Sequence, residues 1–325
     1  MGEQTVELQL GPTRVRHAHL DADTIFVFSH PSASYRDAFL TEALVWHGAG
    51  VVGIDHRYVG ARSTELDFRE AAEDVAHAVA EVIPPGKRVV LVGHSGGAPL
   101  AALVQVRFRL ADELILLAPH PSRAALLEAW IDPALRVDGT RDPDLDLWAE
   151  DRALPLDREF LTHYRAAQLT RIQRLAEAAA AHLRAGQGDA KLSIPGQCAD
   201  PRFLDRSLDP NQRGKRFPLG DPRALNASSG FMADGVTARS FFDQWYRPTT
   251  PADLVRLTPY LSVPILSVAF GADALIFPSQ TLELATALPP GSTVWTLDGA
   301  EHDPRDQPDH LDALARKMLA WLAHP

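Results

Sequence analysis

A short apolar strand running straight into a glycine-framed serine constrains this chain more than any other feature. The run Val89-Val90-Leu91-Val92-Gly93-His94-Ser95-Gly96-Gly97-Ala98-Pro99 sets Gly-x-Ser-x-Gly between an apolar segment and a helix-like stretch. A serine hydroxyl is a weak nucleophile in water. It gains reactivity where a tight strand-to-helix turn lifts it above a sheet, beside a base and beside open backbone N–H groups. Gly93 and Gly97 remove Cβ atoms that such a turn cannot house. The N–H of Gly96, just after the serine, can face an oxyanion. A glycine-rich strand–helix turn is also ordinary in α/β proteins, so the pentapeptide needs partners before it means chemistry.

Two downstream segments supply them. Asp273 ends Ala269-Phe270-Gly271-Ala272-Asp273, after the apolar run Val263–Val268, and His302 sits in Asp298-Gly299-Ala300-Glu301-His302-Asp303, after the strand-like Ser292–Leu297. The order is Ser, Asp, His, each on a loop that follows a predicted strand. In such a triad Ser95 is the nucleophile, His302 the general base and then acid, and Asp273 the group that fixes the imidazole. Asp132, Asp298 and Asp303 are other candidates for the acid. Glu301 reads as a solvated or ion-paired residue.

On these residues the chain resembles the α/β-hydrolase fold superfamily, in its serine hydrolase branch with a large cap insertion. The resemblance covers Thr5 to Leu117 and Leu261 to the end, and leaves out the middle. It implies an α/β fold, a mostly parallel eight-stranded sheet flanked by helices. It also implies a second oxyanion N–H from the loop after the third strand, here Ser29-His30-Pro31-Ser32-Ala33-Ser34. Pro31 stands where the family commonly has glycine and offers no N–H. The backbone of Ser32 is then the expected donor, with Ala33 next. His30 reads as a residue tying the loop down, near the pocket. The segment Asp55-His56-Arg57-Tyr58-Val59-Gly60-Ala61-Arg62-Ser63 matches the family's Asp-x-Arg-x-x-Gly-x-Ser loop and is expected to brace the elbow. A weaker likeness links this loop to some proline-directed serine peptidases. A serine at position 95 excludes the aspartate-nucleophile dehalogenases and epoxide hydrolases of the superfamily, and the Gly-Gly-Gly-x oxyanion loop of one lipase branch is absent.

Hydrophobic periodicity gives the rest of the outline. Thr5–Leu10 and Arg14–Leu20 alternate apolar and polar residues around Gly11-Pro12 and read as an edge hairpin. Thr24–Ser29, Gly50–Asp55, Lys87–Val92 and Glu113–Leu117 read as buried strands, with helices at Tyr35–His47, Asp67–Ile83 and Ala98–Leu110. From His120 to Tyr260 strand signal nearly vanishes. Arg158–Ala185 is helical, Gly186–Leu225 loop-rich, and Thr237–Tyr246 a short aromatic helix. Some 140 residues are too many for a connection between two strands. The expected division is a core of residues 1–119 and 261–325 with a mainly helical cap, residues 120–260, between strands 6 and 7. A helix at Ser279–Leu288, a strand at Ser292–Leu297 and a helix at Gln307–Ala323 close the chain.

Composition narrows the function classes. A net charge of −10 disfavours nucleic acid as a partner. No stretch reaches the roughly 20 apolar residues of a bilayer span, and Met1-Gly2-Glu3-Gln4 lacks a signal-peptide pattern. Cys198 is the single cysteine, which fits a cytoplasmic protein and leaves no obvious second nucleophile. No His or Cys spacing suggests a metal, and no cofactor is expected. The cap aromatics Trp130, Trp148, Phe203, Phe217, Phe231, Phe241, Phe242, Trp245 and Tyr246, with Met232, should mostly form its own core. Phe241, Trp245 and Tyr246, with His30 and His94, are the pocket candidates; His94 also reads as simple packing. Arg202, Arg206, Arg213, Lys215 and Arg216 form a basic patch, either a solvated loop or a receptor for an anion.

The expected activity is hydrolysis of an ester, thioester or lactone of a fairly bulky apolar acyl compound through an acyl-enzyme. Acyl transfer or cyclisation from the same intermediate is the first rival. An aminopeptidase-like activity is the second, with Asp132, Asp142, Asp234 or Asp243 holding an amino group. A ligand-binding protein on the same scaffold is the third. Self-association as a homodimer stays open.

Overall fold

The computed structural model describes residues 5–136, 138–214 and 217–324. They form two compact units, one running up to Ser122 and resuming at Pro251, the other Arg123–Thr250.

The first unit is built on eight strands: β1 (Val6–Leu10), β2 (Thr13–Ala18), β3 (Thr24–Ser29), β4 (Gly50–Asp55), β5 (Arg88–His94), β6 (Glu113–Leu117), β7 (Ile265–Phe270) and β8 (Thr293–Leu297). Their order is β1-β2-β4-β3-β5-β6-β7-β8. β1 and β2, and β2 and β4, pair antiparallel; the pairs from β4 to β8 are parallel. Strands β3 to β7 carry continuous apolar runs because both of their faces are covered. Side chains alternate between those faces. Ile25, Val27, Val89, Leu91, Leu114 and Leu116 pack on one side with helices α2 (Phe68–Val82) and α3 (Gly97–Phe108). Phe26, Phe28, Val90, Val92, Ile115 and Leu117 pack on the other with α1 (Thr41–Trp46).

Local signals set the helix ends. The Asp67 carboxylate caps α2 by accepting from the N–H groups of Arg69 and Glu70, and Pro84-Pro85-Gly86 follows its last turn. Pro99 sits in the first turn of α3, where a missing N–H costs nothing. The segment Tyr35–His47 shortens to α1, with Tyr35 and Arg36 drawn instead onto the buried Asp55.

The second unit falls between β6 and β7 in the chain. It holds α4 (Arg123–Trp130), α5 (Arg158–Arg184), α6 (Pro201–Leu204), α7 (Pro222–Ala227) and α8 (Ala238–Gln244). Its return point lies ten residues earlier than the sequence suggests. Ala252, Leu254 and Leu257 belong to the core of the first unit, and the short helix α9 (Leu254–Leu257) sits there. The two ends of the insertion are tied together within the first unit. Ser122 Oγ donates to Asp253 at 3.3 Å, and the Leu254 N–H donates to Pro121 O at 2.7 Å. Helices α10 (Pro278–Ala285) and α11 (Pro308–Leu322) complete the chain, α11 on the face that holds α1. No described helix is long and apolar enough to cross a membrane.

Candidate active site

The parallel strands bring six loops to one sheet edge, those after β3, β4, β5, β6, β7 and β8. In open α/β sheets this carboxyl edge is where ligands bind. His30, Ser95, His120, Asp273 and His302 all sit on these loops.

The turn after β5 is as tight as its glycines suggest. Ser95 has φ +53°, a left-handed conformation that costs a non-glycine residue about 1–2 kcal/mol. Its N–H is held by Leu117 O at 2.9 Å, and its carbonyl accepts from Ala98 N at 3.1 Å. A Cβ on Gly93 would meet Gly97 O at 2.6 Å, and one on Gly97 would meet Ser29 O at 2.7 Å. Glycine is therefore required at both places by close backbone approach. Ser95 is half-buried, and Gly96 caps the positive end of α3.

Asp273 and His302 meet. His302 Nδ1 lies 2.6 Å from Asp273 Oδ2, while Asp273 Oδ1 accepts from the N–H groups of Leu275 at 2.7 Å and Ile276 at 2.9 Å. With Nδ1–H donated to the carboxylate, Nε2 of His302 is left as the proton acceptor. Asp273 is fully buried and His302 nearly so. The other carboxylates lie elsewhere. Asp132 belongs to the second unit, where it pairs with Arg141 at 2.8 Å and accepts from Asn226 Nδ2 at 2.6 Å. Asp303 pairs with Arg305 at 3.1 Å, and Glu301 is exposed.

His302 is also held from behind. His94 Nε2–H donates to the His302 carbonyl at 2.8 Å, and the two rings stand 4.8 Å apart. Strand parity turns His94 away from Ser95, onto the face that carries Val90 and Val92. Burial, then the neighbouring His302 and His30, hold its imidazole well below the ordinary histidine range. It is thus neutral, with Nδ1 accepting a short hydrogen bond from the Tyr35 hydroxyl. Burial raises the Tyr35 phenol above its usual value and keeps that proton in place. His94 is a buried brace of the His302 loop rather than an open pocket wall.

The loop after β3 departs from expectation. The Ser32 N–H, the expected second oxyanion donor, is turned to His30 Nδ1 at 3.2 Å, and the Ala33 N–H goes to the same nitrogen at 2.9 Å. The ring of His30 stacks on Tyr35 with 5.3 Å between centroids and 15° between planes. His56 Nε2–H donates to His30 O at 3.1 Å. Asp55 gathers the rest of the loop, accepting from Ser34 Oγ, Tyr35 N and Arg36 Nε. Arg57 reaches the other way, to Asp74 and Glu70 on α2, and Gly60 N donates to Ser32 O.

Remaining candidates belong to the second unit. Phe241 and Trp245 are buried in its core with Leu127, Ile131 and Ile172. Tyr246, Phe242 and Met232 are half-buried against that core. Burial pushes the Cys198 thiol up to about 12, which keeps it protonated and unreactive. Asp142 pairs with Arg136, and Asp234 accepts from Ile194 N and Gly230 N, so neither is poised for a substrate amine. Arg202 pairs with Asp200, and Arg206 and Arg213 donate to backbone carbonyls. Lys215 and Arg216 lie outside the described residues. Two neighbours of the site escape sequence reasoning. His120 has its Nε2 3.6 Å from the position of a Cβ on Gly96; its place just after β6, the strand beside the elbow, was the available signal. Tyr35 had none, because its role depends on a ring 59 positions away.

No family model and no curated protein sequence matches the chain. Solved structures do. The α/β hydrolase GrgF from Penicillium sp. sh18 superposes with a TM-score of 0.56 at 14% identity, covering 98% of this chain and 97% of that one. The esterase domain of a Rhodothermus marinus protein gives 0.53 at 13%, covering 99% and 98%. DcsB, solved with a substrate analogue, gives 0.53 at 16%, covering 97% of each. At these identities the likeness establishes the fold, and the chain has the α/β-hydrolase fold.

Proposed function

We propose that this protein is a serine hydrolase that cleaves an ester, thioester or lactone through an acyl-enzyme. The observation that carries the reading is the His302–Asp273 hydrogen bond of 2.6 Å. It belongs to a histidine whose carbonyl is tied to His94, the residue that precedes a serine at φ +53°.

The chemistry follows from those groups. Ser95 Oγ attacks the substrate carbonyl carbon as Nε2 of His302 takes its proton. Asp273 stabilises the imidazolium that forms. The tetrahedral oxyanion is met by the Gly96 N–H at the positive end of α3. The imidazolium then protonates the departing oxygen or sulfur, leaving Ser95 acylated. Water, deprotonated by His302, attacks the acyl carbon and releases the acid.

We further propose that the second unit acts as a cap that selects a fairly bulky apolar acyl group. Two facts support this. The insertion leaves the first unit just past β6, at Ser122, and returns ahead of β7, at Asp253, and these two points are hydrogen-bonded. Its core leaves Met232, Phe242 and Tyr246 partly uncovered. Incubation with a fluorophosphonate probe and with p-nitrophenyl esters of increasing chain length tests the whole reading. Labelling at Ser95 and turnover that improves with acyl length are expected. A wild-type protein that does neither sinks it.

A further inference from the structure

We infer that Arg123, held on the face of Trp245, is a receptor in the second unit for the carboxylate of an amphipathic ligand. The inference deepens the proposed function and rests on it for one step. With the second unit selecting the acyl group, the preferred substrate is a half-ester of a dicarboxylic acid. Arg123 opens α4, six residues past Leu117, whose carbonyl holds the Ser95 N–H. Among the described residues no carboxylate or other oxygen accepts from its guanidinium, and Nη1 is buried without an acceptor. Other arginines of the same unit are served differently: Arg136, Arg141, Arg165 and Arg202 each pair with an aspartate. What Arg123 has instead is an aromatic ring, with its Cζ 4.3 Å from the centre of Trp245. A ring face attracts a cation but does not replace the oxygens that a buried N–H requires.

The surroundings sharpen the mismatch. Leu127, one turn further along α4, and Phe241 share the apolar core of Trp245. Burial lowers the Arg123 guanidinium to about 9, with no neighbouring charge to offset it, and it stays protonated at neutral pH. The first turn of α4 is the positive end of a helix, a place that favours an anion over a cation. An unpaired charge so placed is costly until a partner arrives. Charge and shape specify that partner. One unpaired cation balances one negative charge, and the planar fork of a guanidinium matches the two oxygens of a carboxylate. An apolar chain suits the rest, because Phe242 and Tyr246 are left half-buried against the same core.

Two measurements test the inference. In the first, wild-type protein is melted with hexanoate or with hexanamide, which has the same shape without the charge. At about 10 mM, hexanoate should raise the midpoint at least about 3 °C more than hexanamide, and Arg123→Met should lose that difference. The substitution removes an unpaired charge and keeps an apolar stem on Trp245, so Arg123→Met should also melt no lower than wild type. Equal midpoints with the two additives in wild type, the result if water alone serves the guanidinium, overturn the inference whether or not the variant folds. A difference that survives in Arg123→Met overturns it too. So does a variant melting more than about 4 °C below wild type, because the partner of the charge then lies within the protein. In the second, kcat/KM for the mono-p-nitrophenyl esters of adipate, suberate and sebacate is compared with that for p-nitrophenyl hexanoate, octanoate and decanoate. At one length or more the charged ester should lead by at least about tenfold, and the lead should vanish in Arg123→Met. A wild type that turns over the neutral esters and favours no charged one keeps the hydrolase reading and overturns the half-ester as substrate. A wild type that turns over no ester, yet binds hexanoate through Arg123, sinks the hydrolase reading and keeps the carboxylate site.

Discussion

Replacing Asp273 by Asn tests the site through its hydrogen-bond directions rather than through its shape. In the wild type Oδ1 accepts from Leu275 N and Ile276 N, at 2.7 and 2.9 Å, and Oδ2 faces His302 Nδ1 at 2.6 Å. The two backbone donors decide how an asparagine must sit. Its amide oxygen takes the Oδ1 position, because an NH₂ there would oppose two N–H groups. Its NH₂ is then aimed at His302 Nδ1, which can only accept, so the ring proton moves to Nε2. A histidine protonated on Nε2 cannot take the Ser95 proton. The expected loss in kcat is about 10⁴, or about 5.4 kcal/mol at 1.36 kcal/mol per decade. Stability should change by less than about 2 kcal/mol, because the variant keeps the shape and the two backbone bonds. The assay is p-nitrophenyl ester turnover beside a urea melt, with ¹⁵N spectra of labelled histidine reporting the His302 tautomer. A kcat within tenfold of wild type, or a His302 proton still on Nδ1, would refute the reasoning and shift the acid role to another carboxylate.

Four further outcomes are expected. Ser95→Ala should abolish both fluorophosphonate labelling and turnover, and Ser95→Gly should exceed Ser95→Ala in urea stability by about 1 kcal/mol, because glycine tolerates φ +53°. Tyr35→Phe leaves His94 Nδ1 buried without its donor; a loss of about 1–3 kcal/mol in a urea melt is expected, and an unchanged midpoint would count against the brace. Gly93→Ala forces a Cβ to within 2.6 Å of Gly97 O and should cost at least about 1–3 kcal/mol, read as lower melting temperature or loss of soluble protein. The depressed folded pKa of His94 makes stability fall with acid. Its contribution is complete above the unfolded value of 6.5 and is lost progressively as pH drops from there toward the folded value, at up to about 1.4 kcal/mol per unit. Urea melts at pH 7.5 and 5.5 should show a shallower dependence in His94→Asn than in wild type, and equal slopes would contradict the buried neutral ring.

How much of this was legible in the chain follows from the range of each interaction. The elbow is local. The continuous apolar run of β5, the glycines at 93 and 97 and the proline at 99 specify a strand, a tight turn and a helix within eleven residues. The segments carrying Asp273 and His302 are local in the same way, each a loop after an apolar strand. Their pairing could be expected because parallel strands deliver successive loops to one edge. Boundaries went astray where a segment's fate depended on distant residues. Tyr35 and Arg36 leave the expected helix because Asp55, some 20 residues on, collects their donors. Residues 251–260 rejoin the first unit because Ala252, Leu254 and Leu257 find apolar partners there.

The sequence by itself determined the sheet, the chain order of Ser95, Asp273 and His302 and the glycine turn that carries the serine, because those depend on backbone sterics and hydrophobic period. Tertiary structure alone decided which N–H groups point where. That Ser32 N–H turns to His30 Nδ1, and that Tyr35 and His94 hold the His302 loop, depends on hydrogen bonds whose direction is set only once separate loops pack together. Residue spacing carries no record of that geometry.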